Sequence, residues 1–361
     1  MFLNIRLIII NLKWKKTYIC YLKLNIMKII IPMAGIGSRL RPHTLTIPKP
    51  LTKIAGKPIV QRLVEDIAGL LNETIEEVCF IIGPTFPKDT EERLQNIAKS
   101  LNTKGIVVVQ EQALGTAHAI YQAKNSLNGP CVVAFADTLF KADFTLNPEA
   151  DGAVWVKKVD DPSAYGVIKT NGGFITDFVE KPTEFVSDLA IIGIYYFKKG
   201  EDLRTEIEYL LDNNIKDKGE FQLTNALENL KQKGNKFVPG EVDDWMDCGN
   251  KAITIKTNSS VLQYAKKDNI NLVDKSVVLE NSKIIEPCYI GKNVVLKNST
   301  IGPNVSLGMN SVVTNSEINN SLIQEEVEII NAKLSNSMIG NKVKYNGSFT
   351  SVSLGDYTVL E

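Results

Sequence analysis

The sequence predicts an α/β domain with a mostly parallel sheet, followed by a β-helix made of hexapeptide repeats. From Met27 to about residue 250, short apolar runs alternate with amphipathic stretches, as in parallel sheets flanked by helices. After residue 268, an aliphatic residue recurs at every sixth position, often followed by Gly, which is typical of a β-helix. A chain of 361 residues also exceeds one ordinary core, so more than one domain is expected.

Apolar runs and amphipathic stretches define the elements of the first domain. The predicted strands are Ile29–Ile31, Val78–Ile82, Ile106–Val109, Cys131–Ala134 and Ala153–Val156, and the predicted helices are Ile59–Leu71, Thr90–Ser100 and Thr116–Leu127. A further helix is predicted over Lys251–Ala265, because Gly249 ends the preceding loop and no Pro or Gly interrupts the run. We therefore divide the chain into a domain at 27–250, a linking helix at 251–267 and a β-helix at 268–361.

The repeats of the second domain are regular enough to count. They are clearest at Ile290–Val295, Ile301–Ser306, Leu307–Val312, Ile339–Val343 and Leu354–Val359. In such repeats the aliphatic side chain points into a narrow prism, and Gly or Asn turns the corners. At roughly eighteen residues per coil, about five coils are expected. Residues 324–333 depart from the pattern, so an irregular coil is expected there.

Composition restricts the classes of function. Lys plus Arg and Asp plus Glu both total 41, so no global field draws the chain to nucleic acid or to a membrane. Five cysteines without a CxxC pair exclude zinc ribbons and thioredoxin-type sites, and they favour a reducing compartment, the cytoplasm. Only two histidines are present, which argues against histidine-based metal sites and relays.

The first 26 residues differ from the rest. They contain five basic residues and no acid, and their longest apolar run, Leu7–Ile10, is too short to span a bilayer. No small-residue cleavage site follows, so a secretory signal fits poorly. We expect an extension, or a start codon assigned too early, with Met27 as the natural first residue.

A loop suited to phosphate follows the first buried strand. It reads Pro32-Met33-Ala34-Gly35-Ile36-Gly37-Ser38-Arg39-Leu40-Arg41-Pro42. Its two glycines let backbone N–H groups approach a phosphate chain, and Arg39 supplies a forked positive charge. It is neither a Walker A loop nor the dinucleotide fingerprint, because no Gly-Lys-Ser/Thr follows and Leu40 replaces the third glycine. Downstream, Lys49 lies between two prolines on a stiff segment, and we interpret it as functional.

These motifs resemble the signature of the sugar-phosphate nucleotidyltransferases. The similarity lies in Gly35–Pro42 with Ile47-Pro48-Lys49-Pro50, and it covers residues 27 to about 250. It is greatest to the glucose-1-phosphate thymidylyltransferase/uridylyltransferase group, and the repeats resemble the left-handed β-helix appended to several members. The resemblance implies a Rossmann-like mixed sheet flanked by helices. It also implies that a sugar-1-phosphate oxygen attacks the α-phosphorus of a nucleoside triphosphate and expels pyrophosphate.

The resemblance assigns the nucleotide side of the site. Ala34, Gly35, Gly37 and Ser38 would cradle the phosphates, and Arg39 and Lys49 would stabilise the departing pyrophosphate. The segment from Gln110 to Ala119 resembles the loop that reads the base, where the Gln110 amide pairs with a pyrimidine edge and Gly115 and Thr116 lie along the ring. His118 is interpreted as a packing residue at the helix start.

Metal and sugar residues follow from the same resemblance. Asp137 ends a buried strand, where parallel sheets bind ligands, and Asp247 supplies a second carboxylate; together with phosphate oxygens they suit Mg²⁺. The family usually has Gly where this chain has Ala136. Gly166, Glu180, Lys181 and Tyr195 are the remaining expected site residues, on the sugar-phosphate side. Lys181 would orient the attacking phosphate.

We therefore expect an enzyme that joins a nucleoside triphosphate, with dTTP or UTP favoured, to a sugar-1-phosphate such as glucose-1-phosphate. Mannose-1-phosphate guanylyltransferase and a non-catalytic sensor subunit of the same fold are the alternatives. An acyltransferase role for the β-helix is disfavoured, because no histidine follows His118. The β-helix is expected to serve assembly into a homo-oligomer, and a chain ending near Gln263 is expected to keep nucleotidyl transfer.

Overall fold

A computed structural model of the protein describes residues 26–71, 73–143, 146–347 and 351–360. Residues 1–25, where most of the expected extension falls, lie outside the described residues. The strands before the repeats are β1 (Ile26–Pro32), β2 (Lys53–Ile54), β3 (Lys57–Pro58), β4 (Thr74–Ile82), β5 (Lys104–Val109), β6 (Cys131–Ala134), β7 (Thr138–Lys141), β8 (Gly152–Lys158), β9 (Val167–Asn171), β10 (Phe174–Val179), β11 (Leu189–Phe197), β12 (Phe237–Glu241) and β13 (Asp244–Asp247). The helices are α1 (Ile59–Leu71), α2 (Thr90–Ser100), α3 (Thr116–Gln122), α4 (Gly200–Asp212), α5 (Leu223–Gln232) and α6 (Lys251–Lys267).

The main sheet is mixed. Its strands follow the order β10-β9-β11-β6-β1-β4-β5, and β8 pairs with both β11 and β12. The half formed by β6, β1, β4 and β5 is parallel, whereas β11 runs antiparallel to β6 and to β8. A separate antiparallel ribbon joins β7 to β13. The Rossmann-like mixed sheet that the resemblance implied is confirmed.

Both faces of this sheet are covered, which explains the unbroken apolar runs of its strands. In β1, Ile29 and Ile31 belong to one core with side chains of α1 and α2, and Ile30 belongs to the opposite core with side chains of α3, α4 and α5. All three isoleucines are fully buried. A central strand with both faces in apolar surroundings places its carboxyl end, and the loop that follows, at the edge where ligands bind.

One helix prediction was too long. Helix α3 ends at Gln122, five residues before the predicted end at Leu127, and turns follow it. Ser126 is buried there, and its hydroxyl donates a hydrogen bond to Glu77 on β4. Serine side chains compete with helical hydrogen bonding, so this contact favours the turn over a further helical turn. Helix α6, by contrast, starts where predicted and runs two residues further.

The second part is a stack of short parallel strands. They are β14 (Val278–Glu280), β15 (Lys283–Ile284), β16 (Cys288–Ile290), β17 (Val295–Lys297), β18 (Thr300–Ile301), β19 (Val305–Leu307), β20 (Val312–Thr314), β21 (Glu317–Asn319), β22 (Ser321–Ile323), β23 (Glu328–Ile330), β24 (Lys333–Ser335), β25 (Met338–Ile339), β26 (Lys344–Asn346), β27 (Ser353–Leu354) and β28 (Val359–Leu360). They form three parallel sheets, headed by β14, β15 and β16. This arrangement is that of the left-handed β-helix that the repeats predicted.

Two details of the β-helix prediction were wrong. The coils advance by 17 residues at first, then by 16 and finally by 15, rather than by eighteen. Residues 324–333 form a regular coil, because β23 pairs with both β20 and β26 and Ile329 is fully buried. Asparagines in the left-handed conformation turn corners in successive coils, and their side-chain amides donate hydrogen bonds from coil to coil.

The β-helix packs against the α/β part rather than standing apart. Leu322 and Met338 belong to the same buried core as Leu40 and Leu51. On α6, the side-chain oxygen of Asn258 accepts hydrogen bonds from the backbone N–H of Ala55 at 3.2 Å and from the Ser306 hydroxyl at 2.6 Å. In the part of the chain that the structure describes, no helix is long and apolar enough to cross a membrane.

Candidate functional site

The phosphate loop follows β1 directly and has open space beside its backbone. Met33 still continues the sheet, since its N–H donates to the Ile81 carbonyl at 2.9 Å. Gly37 then adopts a left-handed φ of 66°, which reverses the chain into a short helical turn at Ser38–Leu40. A side chain at Gly35 would meet no atom within 4 Å. The loop therefore offers open space beside its backbone, large enough for a ligand group.

Lys49 lies directly behind this loop. It opens a short helical turn, Lys49–Leu51, whose entry is fixed by Pro48. Its ammonium group donates to Oδ2 of Asp137 at 2.9 Å, and only 12% of its side chain is exposed. An ammonium carries three N–H donors, so two of them remain for other acceptors. A Cβ at Gly37 would come within 3.0 Å of the Lys49 Cβ, so the loop and the lysine are in close contact.

The two predicted metal ligands are adjacent. Asp137 lies between β6 and β7, and Asp247 ends β13 opposite Thr138, the neighbour of Asp137. Burial and the negative charge of Asp137 raise the pKa of Asp247, while the charge of Lys49 opposes this shift. Two carboxylates so close to each other favour a cation between them. The Lys49 ammonium supplies part of the positive charge that balances the two carboxylates.

The predicted base-reading loop is built on β5 and α3. Gln110 is buried, and its amide nitrogen lies 3.3 Å from the Gly115 carbonyl and 3.1 Å from Nδ1 of His118. Gly115 has a φ of 118°, and a Cβ there would lie 2.5 Å from the Phe221 carbonyl. The Thr116 hydroxyl accepts from the backbone N–H of Leu223 at 2.9 Å. The loop is therefore fixed against the start of α5, and the Gln110 side chain is held through its amide nitrogen.

The predicted sugar side is a second pocket between the antiparallel strands and α5. Glu180 accepts a hydrogen bond from the Thr224 hydroxyl at 2.9 Å and lies 3.8 Å from the Lys181 ammonium. A Cβ at Gly166 would meet the Glu180 carboxylate at 3.2 Å, so glycine keeps this wall open. Tyr195 is fully buried, and burial raises the pKa of its hydroxyl well above the usual range.

Two cavities contain all the predicted site residues. One, of about 390 Å³, is lined by Ala34, Gly35, Gly37, Ser38, Arg39, Lys49, Gln110, Gly115, Thr116 and Asp137. The other, of about 320 Å³, is lined by Gly166, Glu180, Lys181, Tyr195 and Asp247 among others. The cavities adjoin, because four residues line both: Arg39, Thr116, Phe135 and Asp137. The structure thus brings these residues together, whereas their individual roles remain predictions.

Several lining residues were not predicted as site residues. Phe135 precedes Asp137 and lies between the cavities, and its ring packs edge-on against Tyr195 at 6.3 Å. Trp245 packs in the same way against Tyr165, at 4.9 Å. Both residues lie within two positions of a predicted metal ligand, and this closeness in sequence could have identified them as lining residues. His118, interpreted as a packing residue, contacts Gln110, and burial lowers its pKa so that the neutral ring is favoured.

The donor set fits a hard divalent cation. Within the described ranges, no group of three or more His, Cys, Asp or Glu side chains is placed to hold a metal ion. Asp137, which lines both cavities, and Asp247, which lines the second, are instead a neighbouring pair of carboxylates. Such a pair suits Mg²⁺, which keeps several waters and completes its shell with substrate phosphates.

Comparison with known sequences places this site in a family. The family model described as Nucleotidyl transferase matches residues 28–263. The bifunctional protein GlmU of Methanococcus maripaludis is 30% identical over 271 residues, which are 72% of this chain and 62% of that protein. A mannose-1-phosphate guanylyltransferase catalytic subunit beta from Drosophila melanogaster is 34% identical over 51% of this chain and 52% of its own length. The match spans about three fifths of the GlmU relatives' length.

Solved structures agree with the fold. A UDP-glucose pyrophosphorylase complexed with UDP-glucose is 26% identical and superposes with a TM-score of 0.53, covering 67% of this chain and 99% of that one. A nucleoside-diphosphate-sugar pyrophosphorylase from Vibrio cholerae, 21% identical, shows the same fold with a TM-score of 0.55 over 64% of this chain and 99% of that one. With the family model matched over more than half of its length and the predicted loops gathered around two adjoining cavities, this chain belongs to the nucleotidyl transferase family.

Proposed function

We propose that the protein transfers a nucleotidyl group from a nucleoside triphosphate to a sugar-1-phosphate, giving a nucleotide sugar and pyrophosphate. The observation that carries the proposal is the pair of adjoining cavities that share Arg39 and Asp137. A reaction between two phosphorylated substrates needs two pockets and cationic groups where they meet. The relatives' names, which include a UDP-glucose pyrophosphorylase and a guanylyltransferase, support the same class of reaction.

The chemistry follows from charge and position. An oxygen of the sugar phosphate forms a bond to the α-phosphorus, and the bond from that phosphorus to the bridging oxygen breaks, so that pyrophosphate leaves with the electron pair. The attacking oxygen is ionised at neutral pH, so no general base is needed. Arg39 and the free donors of Lys49 neutralise the leaving group, and Lys181 orients the attacking phosphate. Transfer of this kind depends on positioning and charge neutralisation.

A divalent cation belongs to this proposal, because nucleotidyltransferases of this family generally use one. Asp137 and Asp247 are the residues that would hold it. When bound, it would supply Lewis-acid stabilisation of the phosphate charge. Lys49 contacts Asp137 directly, so its ammonium holds the carboxylate in place.

We infer that the base is uracil or thymine. The amide nitrogen of Gln110 faces Gly115 and His118, which leaves its carbonyl oxygen to accept a hydrogen bond from the ligand. Uracil and thymine present an N–H donor at the centre of their pairing edge, whereas cytosine and adenine present an acceptor there. Guanine also presents a donor, so GTP with mannose-1-phosphate is the second candidate, favoured by the Drosophila relative.

Pyrophosphate release tests the proposal. The full chain is mixed with Mg²⁺, one of UTP, dTTP, GTP, CTP or ATP, and glucose-1-phosphate or mannose-1-phosphate. We expect release that requires both substrates and is fastest with UTP or dTTP. Lys88→Ala, which changes an exposed lysine outside both cavities, serves as the control for Lys49→Ala. Faster release with GTP would support the second candidate, and no release with any pair would favour a non-catalytic binding protein.

A further inference from the structure

The segment Pro42–Thr46, called the support segment below, lies between the phosphate loop and Lys49. Its turn is closed by a hydrogen bond from the Leu45 N–H to the Pro42 carbonyl at 3.1 Å. The Thr44 hydroxyl donates to the Gly37 carbonyl at 2.8 Å, and a Cβ at Gly37 would meet the Thr44 methyl at 3.3 Å. The support segment therefore fixes the position of the phosphate loop from behind.

The last coil of the β-helix, residues 351–360, holds this segment. The His43 side chain is buried, and its Nε2 lies 3.0 Å from the Ser353 hydroxyl. The Thr46 hydroxyl donates to Oδ2 of Asp356, and Oδ1 of that carboxylate accepts from the Asn341 backbone N–H at 2.7 Å. The carboxylate thus joins the support segment to the preceding coil.

Contact between Gly355 and the ring of Pro42 closes the same interface. A Cβ at Gly355 would lie 3.0 Å from the Pro42 Cβ, so the last coil and the support segment approach as closely as a glycine allows. Neither Ser353 nor Asp356 lines either cavity. They contact residues 42–46 instead, so any influence of theirs on a bound ligand is indirect.

The β-helix also holds the chain on the other side of Lys49. Lys53 pairs with the Glu325 carboxylate, and its backbone carbonyl accepts from the Gln324 amide at 3.1 Å. Leu51 lies in the core that includes Leu322. The stiff segment that carries Lys49 is therefore attached to the β-helix both before and after the lysine.

We propose that the β-helix positions the phosphate loop and Lys49 for the transfer step, with Asp356 as a positioning residue acting through Thr46. The proposal rests on the proposed function, since it concerns the same reaction. Small displacements of a charged group near the reacting atoms cost large factors in rate, so rigid support contributes to catalysis. The β-helix then contributes to turnover, in addition to the assembly role that the sequence predicts. A chain that ends near Gln263 should therefore lose most of its turnover.

A double-mutant cycle in the full chain tests this. Thr46→Val and Asp356→Ala should each lower kcat about tenfold and leave the KM for the sugar phosphate unchanged. The double variant should be no slower than Asp356→Ala alone, because that variant has already lost the contact with Thr46. Thr46→Ser, which keeps the hydroxyl, should restore kcat. Glu328→Gln, in an exposed ion pair with Lys344 elsewhere on the β-helix, is the control and should behave as wild type.

Hydrogen exchange measured on the same variants separates this proposal from the proposed function. In Asp356→Ala, peptides covering residues 33–46 should exchange faster, and peptides covering residues 165–195 should not. Unchanged exchange in residues 33–46, additive losses of kcat, or a raised sugar-phosphate KM would overturn the positioning role. If wild type releases no pyrophosphate with any substrate pair while exchange still rises as described, the proposed function fails and the support of the loop by the β-helix stands.

Discussion

Lys49 beside the first cavity and Glu180 beside the second are both charged groups at a proposed substrate pocket, yet the residues that hold them come from different parts of the chain. Glu180 is bonded to Thr224 and packed against Gly166, within the α/β part. The segment that carries Lys49 is attached to residues of the β-helix some 270 to 310 positions away. The proposed sugar side is thus built within the α/β part, and the proposed nucleotide side depends on the β-helix.

This difference means that substitutions on the two sides should have different kinetic consequences. Paired strands form much of the proposed sugar side, and their backbone hydrogen bonds keep its shape when one side-chain contact is lost. The nucleotide side is a loop, and loops hold their shape only through the contacts that fix them. The following predictions range from the largest expected effect to the smallest.

Asp137→Asn tests the junction that both sides share. The change removes the carboxylate that contacts Lys49 and that would hold the cation, so we expect a loss of roughly a thousandfold in kcat/KM. Steady-state pyrophosphate release at saturating Mg²⁺ measures it. Asp143→Asn, at an exposed position outside both cavities, is the matched control. Near-normal turnover of Asp137→Asn would show that Asp137 is not a metal ligand.

Lys49→Ala and Lys181→Ala compare the two sides directly. Lys49 is largely buried, and we propose that it neutralises the leaving group, so its loss should lower kcat about a hundredfold with little change in KM. Lys181 is half exposed, so its loss should raise the sugar-phosphate KM about tenfold and leave kcat nearly unchanged. Initial rates over a matrix of both substrate concentrations distinguish the effects. The reverse pattern would invalidate this division of the site.

The pH dependence of stability should report on the support of the nucleotide side. Burial lowers the pKa of His43 to about 4, with Asp356 raising it and Lys251 lowering it. The unfolded chain binds this proton more tightly than the folded one, so the contribution of His43 is complete above pH 6.5 and is lost as the pH falls toward 4. Protonation of His43 in the unfolded chain should therefore lower the free energy of unfolding by about 2 kcal/mol between pH 7.5 and pH 5.

Denaturant unfolding at several pH values, compared between wild type and His43→Gln, measures this contribution. The difference between the two proteins should shrink as the pH falls, because the variant has no proton to gain at this position. His118→Gln changes the only other histidine of the sequence. This variant should keep the part of the pH dependence of stability that His43 contributes. Parallel curves for wild type and His43→Gln would show that His43 is not held neutral in the folded state.

Gly37→Ala should have the smallest effect. The residue has a φ of 66°, and the new methyl would lie 3.0 Å from the Lys49 Cβ, so the loop and the lysine must shift apart. We expect kcat to fall about tenfold. Gly172→Ala is the matched control, because Gly172 has a φ of 59° and open space around it on the turn between β9 and β10. Equal kcat values for the two variants would contradict the prediction, because they would show that crowding against Lys49 does not slow the reaction.

Much of the fold could be read from local pattern. The boundaries of α1, α2 and β6 were predicted as observed, because each is bounded by turn residues and keeps one periodicity throughout. The end of α3 could not be predicted, since it depends on the contact between Ser126 and Glu77, 49 positions apart. The length of the β-helix coils was overestimated, because it is set by which residues of successive coils pair with each other.

The sequence by itself determined a large part of the lining of the two cavities, although it missed Phe135 and Trp245. Motifs such as Gly35–Arg39, Pro48–Pro50 and Gln110–Thr116 are contiguous, and their position after buried strands or within stiff segments places them at one edge of the sheet. Only the tertiary structure decided what holds them there. His43, Thr46 and Lys53 meet the β-helix through contacts between distant positions, and no local periodicity carries information about such pairs. Their partners are set by how two separately patterned domains pack together, which depends on the shape of both surfaces.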